Sequence, residues 1–121
     1  MTATVRTASE VFAAIDSLDA AAFAALFTDA GRLVFANCAP LIGHAEIEKG
    51  TANFLATVAG LHHTIVHEWT VDSTTIVELD VTYDRLDGNT ARIPVVSIWS
   101  RTPAGLIDDY RVYFDLEPVY A

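Results

Sequence analysis

The sequence predicts an α+β fold, with three N-terminal helices packed on one face of a curved, mostly antiparallel sheet. Three observations carry this. Up to about residue 59 the apolar residues recur at helical spacing, one short strand apart. From Leu61 the period changes from 3.6 to 2. Turn signals near Ser73-Thr74, at Asp87-Gly88 and near Ala104-Gly105 then divide the second half into strands at roughly 61–72, 75–85, 90–101 and 106–117. Helices early and a meander late put the helices on one side of the sheet instead of between its strands. No repeat, linker or low-complexity segment interrupts the 121 residues, which read as one domain over 1–121.

Each element has a local reason. Thr7-Ala8-Ser9-Glu10 has capping-box spacing, and Val11, Phe12, Ile15 and Leu18 follow on one helical stripe. Asp19 is placed to cap a second short helix whose inner face is Phe23, Leu26 and Phe27, with Leu18 and Phe23 at hydrophobic-staple spacing. Asp29-Ala30-Gly31 ends it, and Arg32-Leu33-Val34-Phe35 reads as the first strand. After a loop over 37–43, a third helix is expected from about His44 to Ala59, with Gly60 as its terminator. Glu46 and Glu48 in its first turn suit the helix dipole, and Ile47, Thr51, Phe54, Leu55 and Val58 form its buried stripe.

Composition narrows the function. With 52% hydrophobic residues the chain can build a core. A net charge of -9 and seven scattered Lys and Arg argue against nucleic acid and against anionic membrane surfaces. No apolar run approaches the roughly 20 residues that span a bilayer, and the N-terminus lacks a signal-peptide pattern. A cytoplasmic location is the expectation. Cys38 is the one cysteine, so it closes no intrachain disulfide and reads as a small buried hydrophobe.

Hairpin turns fix register, and register fixes which side chains share a face. If Ser73-Thr74 is a two-residue turn, His67 lies opposite Asp80 and Trp69 opposite Glu78. If Asp87-Gly88 is another, Asp80 faces Val95, Glu78 faces Ser97 and Thr82 faces Ile93. One face then holds His67, Asp80, Trp69, Glu78 and Ser97 among Ile65, Ile93, Val95 and Trp99. A few converging polar groups in an apolar wall is the character of a small-molecule pocket. The opposite face, with Val66, Val77, Leu79, Val81, Tyr83, Val96 and Ile98, also needs cover, which predicts a homodimer through the outer sheet face. The last strand stays open. A two-residue turn at Ala104-Gly105 sends Tyr110, Val112 and Phe114 to the pocket, and one more residue sends Asp109, Arg111, Tyr113 and Asp115 instead.

The opening F-A-A-I-D-S-L-D-A-A-A-F-A-A-L-F, the I-G-H-A-E-I-E-K-G before the third helix and the closing G-L-I-D-D-Y-R-V-Y-F-D resemble the SnoaL-like group of the nuclear-transport-factor-2-like superfamily. That superfamily includes polyketide cyclases, ketosteroid isomerases and limonene-type epoxide hydrolases. The resemblance covers nearly the whole chain and implies a cone-shaped fold. It aligns Asp80 with the pocket aspartate of the epoxide hydrolases and Asn37 with their pocket asparagine. Glu78 stands where they have an arginine, and Val112 where they have a second aspartate, which also favours Val112 toward the pocket. The cyclases are similar in pairing a strand histidine with an aspartate on the next strand, as His67 and Asp80 would.

The expected function is cofactor-free proton transfer next to a carbonyl of a small hydrophobic molecule. Asp80 is the expected base, with Glu78 as a second acid and His67 or Asn37 on the enolate oxygen. Trp69, Ile93, Val95, Ser97, Trp99 and Val112 are the expected substrate-binding wall. The alternatives are a binding module of the same fold without catalysis, and, behind it, an epoxide hydrolase. No metal is expected, because His62 and His63 are strand neighbours that point to opposite faces.

Overall fold

The computed structural model describes residues 7–121, and two short helices open it. In α1 (Ala8–Asp16) the expected capping box forms: Thr7 Oγ1 accepts the Glu10 amide and Glu10 Oε1 accepts the Thr7 amide, each at 3.2 Å. In α2 (Ala20–Ala24) Asp19 Oδ1 accepts the Ala22 amide at 3.0 Å. Leu18, at the corner between them, has φ +61° and stays exposed, while Phe23 enters the core.

The first strand, β1 (Phe27–Phe35), starts earlier than expected, and a two-residue β2 (Leu41–Ile42) pairs beside it. Helix α3 (His44–Leu55) stops four residues short of the predicted Ala59. Thr57 closes its last turn by donating to the Phe54 carbonyl at 2.6 Å, and Val58 already pairs with Arg85. Sheet pairing therefore overrides the helical spacing of Val58. The long strands are β3 (Val58–Val71), β4 (Thr74–Arg85), β5 (Thr90–Arg101) and β6 (Ile107–Tyr113). A short fourth helix, α4 (Glu117–Tyr120), lies beyond the three expected, and its Val119 is buried.

The six strands form one sheet in the order β2-β1-β6-β5-β4-β3, antiparallel except for β1 beside β6. Val77, Leu79, Val81 and Tyr83 of β4 face the helices and are almost sealed, at 0–4% exposure. Burying each side chain of that size contributes about 1.5–3 kcal/mol. Among the described residues no helix is long and apolar enough to cross a membrane.

Register is where the expectation fails. Asp87-Gly88 is not a two-residue turn. Arg85 and Asn89 close a three-residue loop, the Arg85 amide donating to the Asn89 carbonyl at 2.8 Å, with Gly88 at φ +86°. That added residue moves β5 by one place: Asp80 pairs with Pro94, and Val95 pairs with Leu79. A one-residue shift exchanges faces. The β3–β4 turn is Asp72-Ser73, with Asp72 at φ +54°, so His67 pairs with Glu78 and Trp69 with Ile76. A bulge between Ile65 and His67 then shifts the upstream half of β3 by one more. The last strand faces as in the first of its two alternatives, Ser97 pairing with Val112 and Trp99 with Tyr110, but not through a two-residue turn: Thr102 and Leu106 close a three-residue loop, and a bulge between Ser100 and Arg101 restores the facing.

Candidate active site

The structure divides the expected site between the two faces of the sheet. Asp80, Glu78, His67 and Trp69 share the outer face. There Asp80 accepts from Arg92 at 2.6 Å, and Glu78 lies 3.1 Å from His67 Nδ1. Trp69 is 49% exposed and stacks on His67 at 5.4 Å between ring centroids. The dimer face inferred from sequence changes with them, since Val77, Leu79, Val81 and Tyr83 belong to the core and only Val66, Val96 and Ile98 of that set lie outside it. Ile93, Val95, Ser97, Trp99 and Val112 are buried on the inner face. Asn37 is exposed in the turn after β1, and Cys38 beside it is exposed, not a buried hydrophobe.

The inner face encloses a cavity of about 30 Å³. Ile15 and Phe23 reach it from the first two helices, and Thr51 and Phe54 from α3. The sheet supplies Leu61, His63, Tyr83, Val95, Ser97, Tyr110 and Val112, and Phe35 and Phe114 complete the wall. Three aromatic side chains at this wall, Phe35, Phe54 and Phe114, meet at 5.6 and 6.2 Å and are only partly buried. Among the described residues no Lys or Arg lines the cavity.

A hydrogen-bonded histidine–carboxylate pair stands at its edge. His63 Nδ1 lies 2.5 Å from Asp16 Oδ1, and Asp16 Oδ2 accepts the His63 backbone amide at 3.1 Å. The His63 side chain is 9% exposed and that of Asp16 21%. Phe12 stacks on the imidazole at 4.7 Å, which fixes the ring plane. Two bonds from one residue hold Asp16 in place, and its carboxylate keeps the proton on Nδ1. The lone pair is then left on Nε2. On its other side the pair borders an open groove of about 450 Å³ between α1 and β3, lined also by Ser9, His62 and Ile65.

The remaining polar groups are hydroxyls. Burial pushes the Tyr83 and Tyr110 phenols well above their ordinary values, so both stay protonated and uncharged. The Ser97 hydroxyl is bonded to Tyr110 and works against that rise. Thr51 Oγ1 is sealed from solvent and has no partner among the described residues. Within that set no group of three or more His, Cys, Asp or Glu residues could hold a metal ion.

Sequence reasoning missed Asp16 and His63. Asp16 did carry a signal. It is a carboxylate in the last turn of a helix, where the dipole disfavours negative charge and no basic residue offsets it. A partner outside the helix would offset that cost. The side taken by His63 could be read only once the bulge in β3 was located.

Comparison with known proteins agrees with the fold. The model of the SnoaL-like domain family matches residues 8–110. No curated protein matches the sequence significantly. A hypothetical protein from Catenulispora acidiphila with a ketosteroid isomerase-like fold, solved with trimethylamine, is similar with a TM-score of 0.84. The match covers 96% of this chain and 91% of that one at 19% identity. SalBIII, an epoxide hydrolase/cyclase-like enzyme of pyran ring formation in salinomycin, is similar at 0.78, covering 91% and 88% at 17% identity. TerC, co-crystallised with polyporic acid, is similar at 0.80, covering 92% and 93% at 16% identity. At such identities these likenesses speak for the fold. With the family match spanning most of its length and the cone-like sheet beneath it, the chain belongs to the SnoaL-like domain family.

Proposed function

We propose that this chain is a cofactor-free enzyme that moves a proton next to the carbonyl of a small hydrophobic molecule, with His63 as the base. The observation that carries the reading is the His63–Asp16 pair at the wall of an otherwise apolar cavity. In this reading Nε2 takes a proton from the carbon beside the carbonyl. The imidazolium so formed is stabilised by Asp16, which also holds the ring in place. The same nitrogen returns the proton at another position. The low-dielectric wall strengthens these interactions. Asp80, Glu78 and His67 take no part, because the sheet lies between them and the cavity. The neighbouring structures support a small-molecule role only at the level of fold. Epoxide hydrolysis is less well supported, since the cavity wall carries Val112 and, among the described residues, no arginine.

At about 30 Å³ the cavity has room for one or two waters, and a substrate would part Phe35, Phe54 and Phe114 as it binds. A generic test uses 1-indanone, whose C2 hydrogens exchange through the enolate. In D2O the protein is expected to accelerate deuterium uptake at C2, read by NMR. His63→Gln should lower the rate about 10²- to 10⁴-fold, and His67→Gln should leave it unchanged. If the protein does no better than buffer, the non-catalytic binding reading takes its place.

We also propose that the outer face seats a second copy of this chain. Trp69, Ile76, Val96, Ile98 and Tyr113 form its apolar centre, with Trp69 and Tyr113 about half exposed. Sedimentation should give twice the chain mass, and Trp69→Asp should shift it to the monomer. A monomeric parent protein ends this idea.

A further inference from the structure

Resting on the proton-transfer reading, we infer that the molecule taken by the inner cavity is uncharged and that Thr51 binds its oxygen. Three observations on α3 and the wall lead there.

Thr51 is 1% exposed and lines the cavity, and its hydroxyl has no partner among the described residues. A buried hydroxyl left unpaired is costly, and native proteins keep few of them. Helical threonines commonly return the hydroxyl to a carbonyl three or four residues back, which here means Glu48 or Ile47. Thr51 makes neither bond. Its donor and its lone pairs are therefore free for something inside the cone.

Two of the other wall hydroxyls are already engaged. Tyr110 and Ser97 are bonded to each other. The Tyr83 hydroxyl is not among the buried orphans. Among the described residues Thr51 is the wall hydroxyl that is sealed from solvent with its hydrogen-bonding capacity unspent.

Charge then limits the ligand. Among the described residues the lining holds no Lys, Arg, Asp or Glu, and its phenols are protonated. Asp16, just behind His63, adds a negative charge nearby. A carboxylate or phosphate would lose its hydration and meet no Lys or Arg among the described residues, with the His63 imidazole already committed to Asp16. An organic cation would have to draw on Asp16, both of whose oxygens already serve His63. A neutral ketone or alcohol meets neither obstacle. Its oxygen can bond Thr51 while its carbon skeleton meets Phe23, Phe54 and Val95.

Thr51→Val tests this, because valine keeps the shape and removes the hydroxyl. Three probes are titrated by NMR: 1-indanone, indane, and indane-2-carboxylate at neutral pH. The wild type is expected to bind the ketone about 3- to 10-fold tighter than the hydrocarbon, and the carboxylate weakest. Thr51→Val should erase the ketone's advantage, and Thr51→Ser should keep it. With no probe present, Thr51→Val should melt at the wild-type temperature or above, since it removes an unpaired group. A melting point several degrees lower would mean that the hydroxyl is already satisfied in the folded chain, by a water or otherwise, and overturns the inference. So does a ketone that binds wild type no better than indane, a ketone preference that survives in Thr51→Val, or a carboxylate that binds as well as the ketone. The two readings fail separately. Thr51-dependent binding without deuterium uptake removes His63 as base and leaves Thr51 in place. Uptake whose binding step ignores Thr51→Val does the reverse.

Discussion

His63 and His67 lie four residues apart on β3, and each faces one carboxylate, yet their surroundings differ. His67 and Glu78 stand on the outer face with side chains 64% and 48% exposed, where water screens them. His63 and Asp16 are 9% and 21% exposed, beneath a stacked phenyl ring and against an apolar cavity. The residue types nearly match, and the energetics do not. Outside, the pair trades one set of hydrogen bonds for another at little net gain. Inside, each partner depends on the other for the satisfaction that water would otherwise give. A histidine beside a carboxylate in sequence space is weak evidence for a site. The side of the sheet decides.

The largest way to break that comparison is to neutralise each carboxylate. Asp16→Asn should lower unfolding stability by about 2 kcal/mol, because two bonds to a mostly buried carboxylate are weakened together. Glu78→Gln should cost less than about 0.5 kcal/mol. Urea unfolding measures both, and equal losses would mean that the two pairs share one environment after all.

A smaller effect sharpens it from the loop that sets the faces. The Asn89 amide, followed by Arg85, holds the Asp87 carboxyl below its ordinary value. A carboxyl lowered by folding adds stability that is complete above its unfolded pKa of about 3.9 and is lost as pH falls through the lower, folded value. Asp87→Asn removes that contribution. Its stability should therefore fall less steeply than the parent's below about pH 4, as followed by thermal melts across an acid series. Parallel curves would show that Asp87 does not hold the loop.

Much of the fold was legible because local chemistry wrote it. The Thr7 capping box, the Asp19 cap and the change of period at the sheet are all found in place. Ile93, Val95, Ser97 and Trp99 were grouped with one another correctly, since alternation within a strand needs no turn. Their assignment to the row of Asp80 failed because Asp-Gly suits two loop lengths, and the three-residue form was the one used. Asp16 and His63 were illegible as a pair for a different reason. They are 47 residues apart, and only the packing of α1 across β3 brings them together.

The bulge at Val66 has a consequence for how function is carried between relatives. In a regular strand His63 and His67 would share a face, since four is an even count. The extra residue makes the count odd, so one histidine looks into the cone and the other looks out. Such a change of parity is invisible to percent identity and leaves every neighbouring letter intact, yet it exchanges interior for surface. Aligning a relative's catalytic letters onto this strand therefore means little until bulge is matched to bulge and loop length to loop length.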